Sequence, residues 1–191
     1  YTYFTFSGTA KNAIYNISRT NIQIQSTNNF TNSFSLSSDL SLEYSATDAK
    51  FITIDLSNSY SHVFARLGTT LLIDTRDSYV VPSRGLYTFL RAEAVQDVSS
   101  GKNDTEDIIR LIGRWNISIP LIRNKLIFSP QTMIGYNFNP TSIPEYNLFI
   151  GGNSFLPVNE GSFPFPGIEY FERSGQALFI QNVQLQFQLL H

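Results

Sequence analysis

The chain has 191 residues, enough for one domain with a core, yet only 15% are charged while 14% are aromatic. Soluble proteins average about 25% charged residues, so this surface is short of charge, as a wall with one side in lipid would be. A net charge of -2 with scattered Lys and Arg excludes the basic stripe that nucleic-acid binding needs, and the lack of cysteine excludes disulfides and thiolate metal sites. In chain order, strands are predicted at Tyr1 to Ser7 and about Ala13 to Gln25, where Ile22 and Ile24 alternate with Gln23 and Gln25. Next come Leu40, Leu42 and Tyr44 against Ser41, Glu43 and Ser45, then Ile52, Ile54 and Leu56 against Thr53, Asp55 and Ser57. Further strands are expected from His62 to Asp74, Leu86 to Val95, Asp107 to Ile119 and Lys125 to Phe138. The last strand is the clearest, with Val183, Leu185, Phe187 and Leu189 alternating with Gln184, Gln186 and Gln188. A period of two puts every apolar side chain on one face, which no helix does.

About nine strands result, many of ten residues or more, the length that crosses a bilayer at a tilt. No run approaches the roughly 20 apolar residues of a spanning helix, and alternation dilutes the hydropathy of a barrel strand. The mean hydropathy of -0.09 therefore leaves a barrel open. The expected fold is all-β, an antiparallel up-and-down transmembrane β-barrel occupying residues 1–191 as a single domain. Its connections differ in kind. Tight turns at Pro120 to Asn124 and Asp77 to Ser83 belong at one rim. A polar loop at Ser99 to Asp104 and a long irregular loop at residues 139–175 belong at the other. A loop that long is functional rather than passive, and its aromatics (Phe149, Phe155, Phe163, Phe165, Tyr170 and Phe171) point it into the lumen. The start, Tyr1-Thr2-Tyr3-Phe4, carries no Met or signal segment, so a signal peptide is expected to have been removed or to lie upstream.

Two segments resemble a known family. Leu72-Ile73-Asp74-Thr75-Arg76-Asp77, followed by Pro82-Ser83-Arg84-Gly85, is similar to the strand-turn-strand signature of the bacterial outer-membrane insertase and surface-antigen barrels. Pro144-Glu145-Tyr146-Asn147-Leu148-Phe149-Ile150-Gly151-Gly152 resembles the approach to that superfamily's lumen-inserted loop. The insertases and transporters then carry V-R-G-[FY]; here Pro164-Phe165-Pro166-Gly167-Ile168-Glu169-Tyr170 has no Arg before its Gly. That departure turns the resemblance toward the barrels fused behind patatin-like phospholipase domains. It implies an outer-membrane location, contact with membrane lipid, an upstream patatin-like domain and a homodimer. The family's barrels continue for about four strands beyond the exit strand of the loop, so the resemblance, which spans residues 68–191, also implies a partial barrel. The G-x-S-x-G nucleophile elbow of patatin-like enzymes is absent from these residues, so no catalytic residue and no cofactor is expected here. Two other functions stay open: a protein translocation or assembly barrel, and a soluble secreted carbohydrate-binding β-sandwich.

Candidate sites are few. Glu169, Glu172 and Arg173 in the long loop could pin it to Arg91, Glu93 or Arg114 on the wall, or could sit at a solvated tip. Asp74, Arg76 and Asp77 read as solvated rim charges, with Pro82, Gly85, Gly151, Gly152 and Gly167 as the motif's turn formers. His62 and His191 are far apart with no clustered ligand, which gives no metal site and leaves both at the surface. Trp115 and the ten Tyr are candidates for interfacial girdles.

Overall fold

In the computed structural model the described residues are 2–7, 10–51, 56–99, 107–122, 125–139, 146–151, 162–165 and 173–187. They form eleven strands: β1 (Thr2–Ser7), β2 (Ala10–Thr31), β3 (Phe34–Phe51), β4 (Leu56–Asp74), β5 (Gly85–Asp97), β6 (Asp107–Ile122), β7 (Leu126–Asn137), β8 (Leu148–Ile150), β9 (Ser162–Phe163), β10 (Arg173–Gly175) and β11 (Ala177–Phe187). β1 to β7 make an antiparallel meander, and β11 joins it beside β7 as the eighth strand. The all-β antiparallel expectation is met. The pairings stop at β1 on one side and β11 on the other, so the described residues make an open wall.

The alternation in the sequence becomes two unlike faces. In β3, Leu40, Leu42 and Tyr44 are exposed while Ser41, Glu43 and Ser45 are buried. Register carries this across the sheet: Ile24 pairs with Leu40, Leu40 with Leu67, Leu67 with Ala94 and Ala94 with Ile109. The resulting apolar row is bare. The opposite face is covered by a small sheet in which β8 pairs with β9 in parallel and with β10 antiparallel. Between β7 and β11 the described residues thus place β8, β9 and β10 on the polar face of the wall. The two ends of that stretch are stitched together where the Asn137 amide donates to the Gln176 carbonyl at 2.8 Å and Gln176 Nε2 donates to the Asn137 carbonyl at 3.0 Å.

Four expectations are corrected. Among the described residues the wall has eight strands rather than about nine, because Leu56 and Ser57 already belong to β4. The polar stretch Asn58 to Ser61 pairs with β3, where Ser59 Oγ donates to Asp48 at 2.6 Å, instead of breaking the strand; Ile52 and Ile54 lie outside the described residues. The turn placed at Pro120 to Asn124 begins later, since β6 runs on to Ile122 through an irregularity after Pro120. A proline has no amide to give a ladder and is accommodated at such a bulge. Finally, the described parts of residues 139–175 are not irregular: they hold the three strands of the covering sheet.

Candidate functional site

The covered face carries a chain of buried ion pairs through the middle of the wall. Arg91 donates to both oxygens of Asp39 at 2.7 and 3.0 Å, to Thr70 at 2.9 Å and to Glu93 at 3.1 Å. Glu93 also takes Arg66 at 3.3 Å and Arg110, Arg66 reaches Glu43 at 3.0 Å, and Arg19 lies 3.4 Å from the same carboxylate. Five strands thus contribute to one network. Period-two alternation puts these groups on one face, and Gly68 lets them meet. A Cβ there would collide with the Arg91 guanidinium and lie 2.8 Å from an Asp39 oxygen, so the absent side chain is the channel for that pair. Removing charges from water costs several kcal/mol per ion, which only dense pairing offsets.

The covering segment sits on this network through aromatic rings. Tyr146 is 1% exposed, and its hydroxyl donates to Glu43 at 3.4 Å. The Arg19 and Arg110 guanidiniums lie 5.5 and 5.6 Å from its ring centre, within cation–π range. Its backbone is tied down too, since Asn137 Nδ2 donates to the Tyr146 carbonyl at 3.0 Å. The Tyr146 ring also meets Phe64 edge to face at 4.9 Å. Beside this, Leu148 and Phe163 pack with Ile112, Met133 and Ile180 of the wall, and Arg114 stands 5.6 Å from the Phe163 ring. Gly135 makes that seat: a Cβ on it would be 2.9 Å from Leu148 and 3.0 Å from Phe163.

The expected pairing of loop to wall falls in part outside the described residues. Glu169 and Glu172 lie outside the described residues, and Arg173 is placed only as backbone, opposite Ile150 in β10. Arg91 and Glu93 line the covered face, where among the described residues they pair with Asp39, Arg66 and Arg110 of the wall and with each other. Arg114 touches the covering segment at the Phe163 ring. Tyr146, Asn137, Glu43, Asp39, Arg19, Arg66 and Arg110 were not singled out as contacts. A period-two count of charged residues along β3 to β6 would have put most of them on one face, whereas Tyr146 had no periodic signal.

The motif turn after β4 is also more structured than solvated rim charges would be. Asp74 accepts from the Arg76 amide, Nε and Nη2 at 3.1, 2.9 and 2.7 Å, and both side chains are mostly shielded. The Arg76 guanidinium lies between the Tyr79 and Tyr87 rings at 4.9 and 4.5 Å, and bonding to Asp74 raises its pKa. Asp77 is exposed and organises the tip: it accepts from the Ser83 hydroxyl, the Ser83 amide at 2.9 Å and the Arg84 amide at 3.3 Å. Those bonds, the Ser83 hydroxyl first, hold its pKa below the ordinary value. Pro82 is buried, and Gly85 has φ +111° with the Thr75 carbonyl 2.5 Å from where a Cβ would stand, so only glycine fits. Gly151 likewise has φ 132° and donates its amide to the Phe163 carbonyl at 3.0 Å. Gly152 and Gly167 lie outside the described residues.

His62, expected at the surface, is mostly shielded and hydrogen-bonded through Nδ1 to Asp97 at 2.6 Å, with its ring stacked on Phe64. The physical reason is register: His62 falls on the same face of β4 as Phe64, not on the bare one. His191 lies outside the described residues. Trp115 stands midway along β6 against Gly113, away from the strand ends where a girdle would gather. Among the described residues no three His, Cys, Asp or Glu side chains are grouped to hold a metal. No protein-family model matches the chain, and no curated protein does.

Proposed function

We propose that this chain is wall and plug of a bacterial outer-membrane β-barrel, with the bare face in lipid and the segment between β7 and β11 seated inside. One observation carries the reading: the side chains are inverted relative to a protein in water. Leu42 is 58% exposed, while its neighbour Glu43 is 3% exposed within an ion-pair network. A soluble sandwich buries its apolar face and hydrates its carboxylates; a barrel wall does the reverse. A contiguous apolar face spread over several strands marks an interaction surface, and lipid is the partner that makes no demand for shape. The covering sheet supports a closed wall wider than this one, because an eight-stranded barrel has room inside for its own side chains or one small ligand and not for three further strands.

The role follows from the motif resemblance and is narrower. The wall would anchor a patatin-like lipid hydrolase domain, and the departure from V-R-G-[FY] weighs against protein translocation. The purified chain should require detergent, and in a sucrose gradient it should float with phospholipid vesicles after an alkaline wash. A chain that is monodisperse in plain buffer and stays at the bottom of the gradient ends the membrane reading.

A further inference from the structure

The bare face is not uniform. Across β3 to β6 one row reads Leu40, Leu67, Ala94 and Ile109, and the next reads Leu42, Ala65, Gln96 and Asp107, each residue paired with the one after it. A groove of about 360 Å³ lies over the two alanines, flanked by Leu40, Leu67 and Ile109, and ends at Gln96 and Asp107. We infer that this groove seats one phospholipid with an ethanolamine headgroup, an acyl chain lying over the alanines and the ammonium group at Asp107. The inference rests on the membrane reading and names a lipid for that face.

Shape and depth come first. Leu40, Leu67 and Ile109 are exposed, so a flexible hydrocarbon chain laid between them gains dispersion contacts on both flanks that a flat surface would not give. The polar end of the groove lies where the bare face stops being apolar. Beyond Tyr44 the same side of β3 and β4 carries Asp48 and Ser59, paired in register and joined by a hydrogen bond of 2.6 Å. β5 ends at Asp97 and β6 begins at Asp107. Tyr136 and Phe138 are exposed on this side and meet edge to face at 5.0 Å, with the Phe138 amide bonded to the Ile109 carbonyl. Aromatic rings gather at the headgroup level of a bilayer, and that is the level at which Gln96 and Asp107 stand.

Charge then selects the headgroup. Arg66 belongs to the lining, but its guanidinium is on the covered face with Glu43 and Glu93, which leaves Asp107 as the charge that the groove presents. The Asp107 carbonyl accepts from Asn139 Nδ2 at 2.7 Å, while its exposed carboxylate has no hydrogen bond or ion pair among the described residues. Such a carboxylate repels a lipid of net negative charge and accepts charge-assisted bonds from a primary ammonium. A choline headgroup has no N–H to give. Gln96, opposite Asp107 in register, offers amide N–H groups to the lipid phosphate. One carboxylate is too few for a calcium ion, which takes roughly six to eight oxygen ligands.

Native mass spectrometry of the chain released from detergent micelles tests this, with phosphatidylethanolamine, phosphatidylcholine and phosphatidylglycerol of identical acyl chains supplied in equal amounts. The ethanolamine lipid should be retained about tenfold over the other two, the margin of one charge-assisted hydrogen bond. Asp107→Asn should bring it down to the level of the choline lipid, and Ala94→Leu, which fills the groove, should lower its retention. Asp48→Asn, at an exposed carboxylate outside the groove, should leave the preference unchanged. Equal retention of the three lipids by the parent overturns the proposal, as does a preference that survives Asp107→Asn or that Asp48→Asn abolishes equally. Flotation with vesicles of phosphatidylcholine alone reads the membrane question separately: a chain that floats there and shows no preference has its bare face in lipid but no seat on it.

Discussion

Leu42 and Glu43 are neighbours in β3 with opposite surroundings. The first meets the solvent of the bare face together with Ile22 and Ala65, which flank it in register, while the second is held by Arg19, Arg66 and the Tyr146 hydroxyl. What separates them is one residue of a period-two chain. A one-residue slip of β3 would push Leu40, Leu42 and Tyr44 into the ionic network and Asp39 and Glu43 onto the bare face, so the faces specify the register more strongly than the ladder does.

The largest test of this contrast is at the centre of the network. Glu93→Ala leaves Arg66, Arg91 and Arg110 facing one another in a buried site. Breaking a buried pair by deleting one partner costs about 3–5 kcal/mol, and urea unfolding followed by Trp115 fluorescence should show it. Gln23→Ala, an exposed polar position in β2, should cost under about 0.5 kcal/mol. Equal losses at the two positions would mean that the pairs are solvated and that the covering segment does not shield them.

On the proposed reading, the opposite face answers to a different solvent. Leu42→Lys puts a charge among bare leucines, and near the midplane of a bilayer that costs about 2–4 kcal/mol, whereas in water an exposed substitution changes little. Unfolding in lipid vesicles measures the difference. A variant as stable as the parent in vesicles would place this face in water and remove the reason for the inversion.

Much of this contrast is legible in the sequence, and the reason is geometric. Alternation fixes which residues share a face, so Gln184 and Gln186 separate from Leu185 and Phe187 with no knowledge of partners. It does not fix which strand lies opposite, and so it could not join Arg91 to Asp39, 52 residues apart. The covering segment is legible as a long aromatic stretch but not as a three-stranded sheet, because β8, β9 and β10 have two or three residues each and no period can be counted over them. His62 was misplaced for the same reason: its partner Asp97 belongs to the next strand.

The smallest effect is expected where a carboxylate stays in water. Asp77 and Glu93 each accept several donors, but Asp77 is on an exposed turn and is held by Ser83 and the Arg84 amide rather than by guanidiniums. Its pKa is lowered by folding. A group lowered in this way stabilises the fold at pH values above its ordinary pKa of about 3.9. That contribution is lost as pH falls through the folded value, because protonation then removes the acceptor the turn relies on. Amide hydrogen exchange at Ser83 and Arg84 should therefore lose protection below about pH 4, after correction for intrinsic rates. Asp77→Asn should remove that pH dependence. Protection that falls equally in both proteins would assign the acid response to another carboxylate and leave the turn held by Arg76 and Gly85.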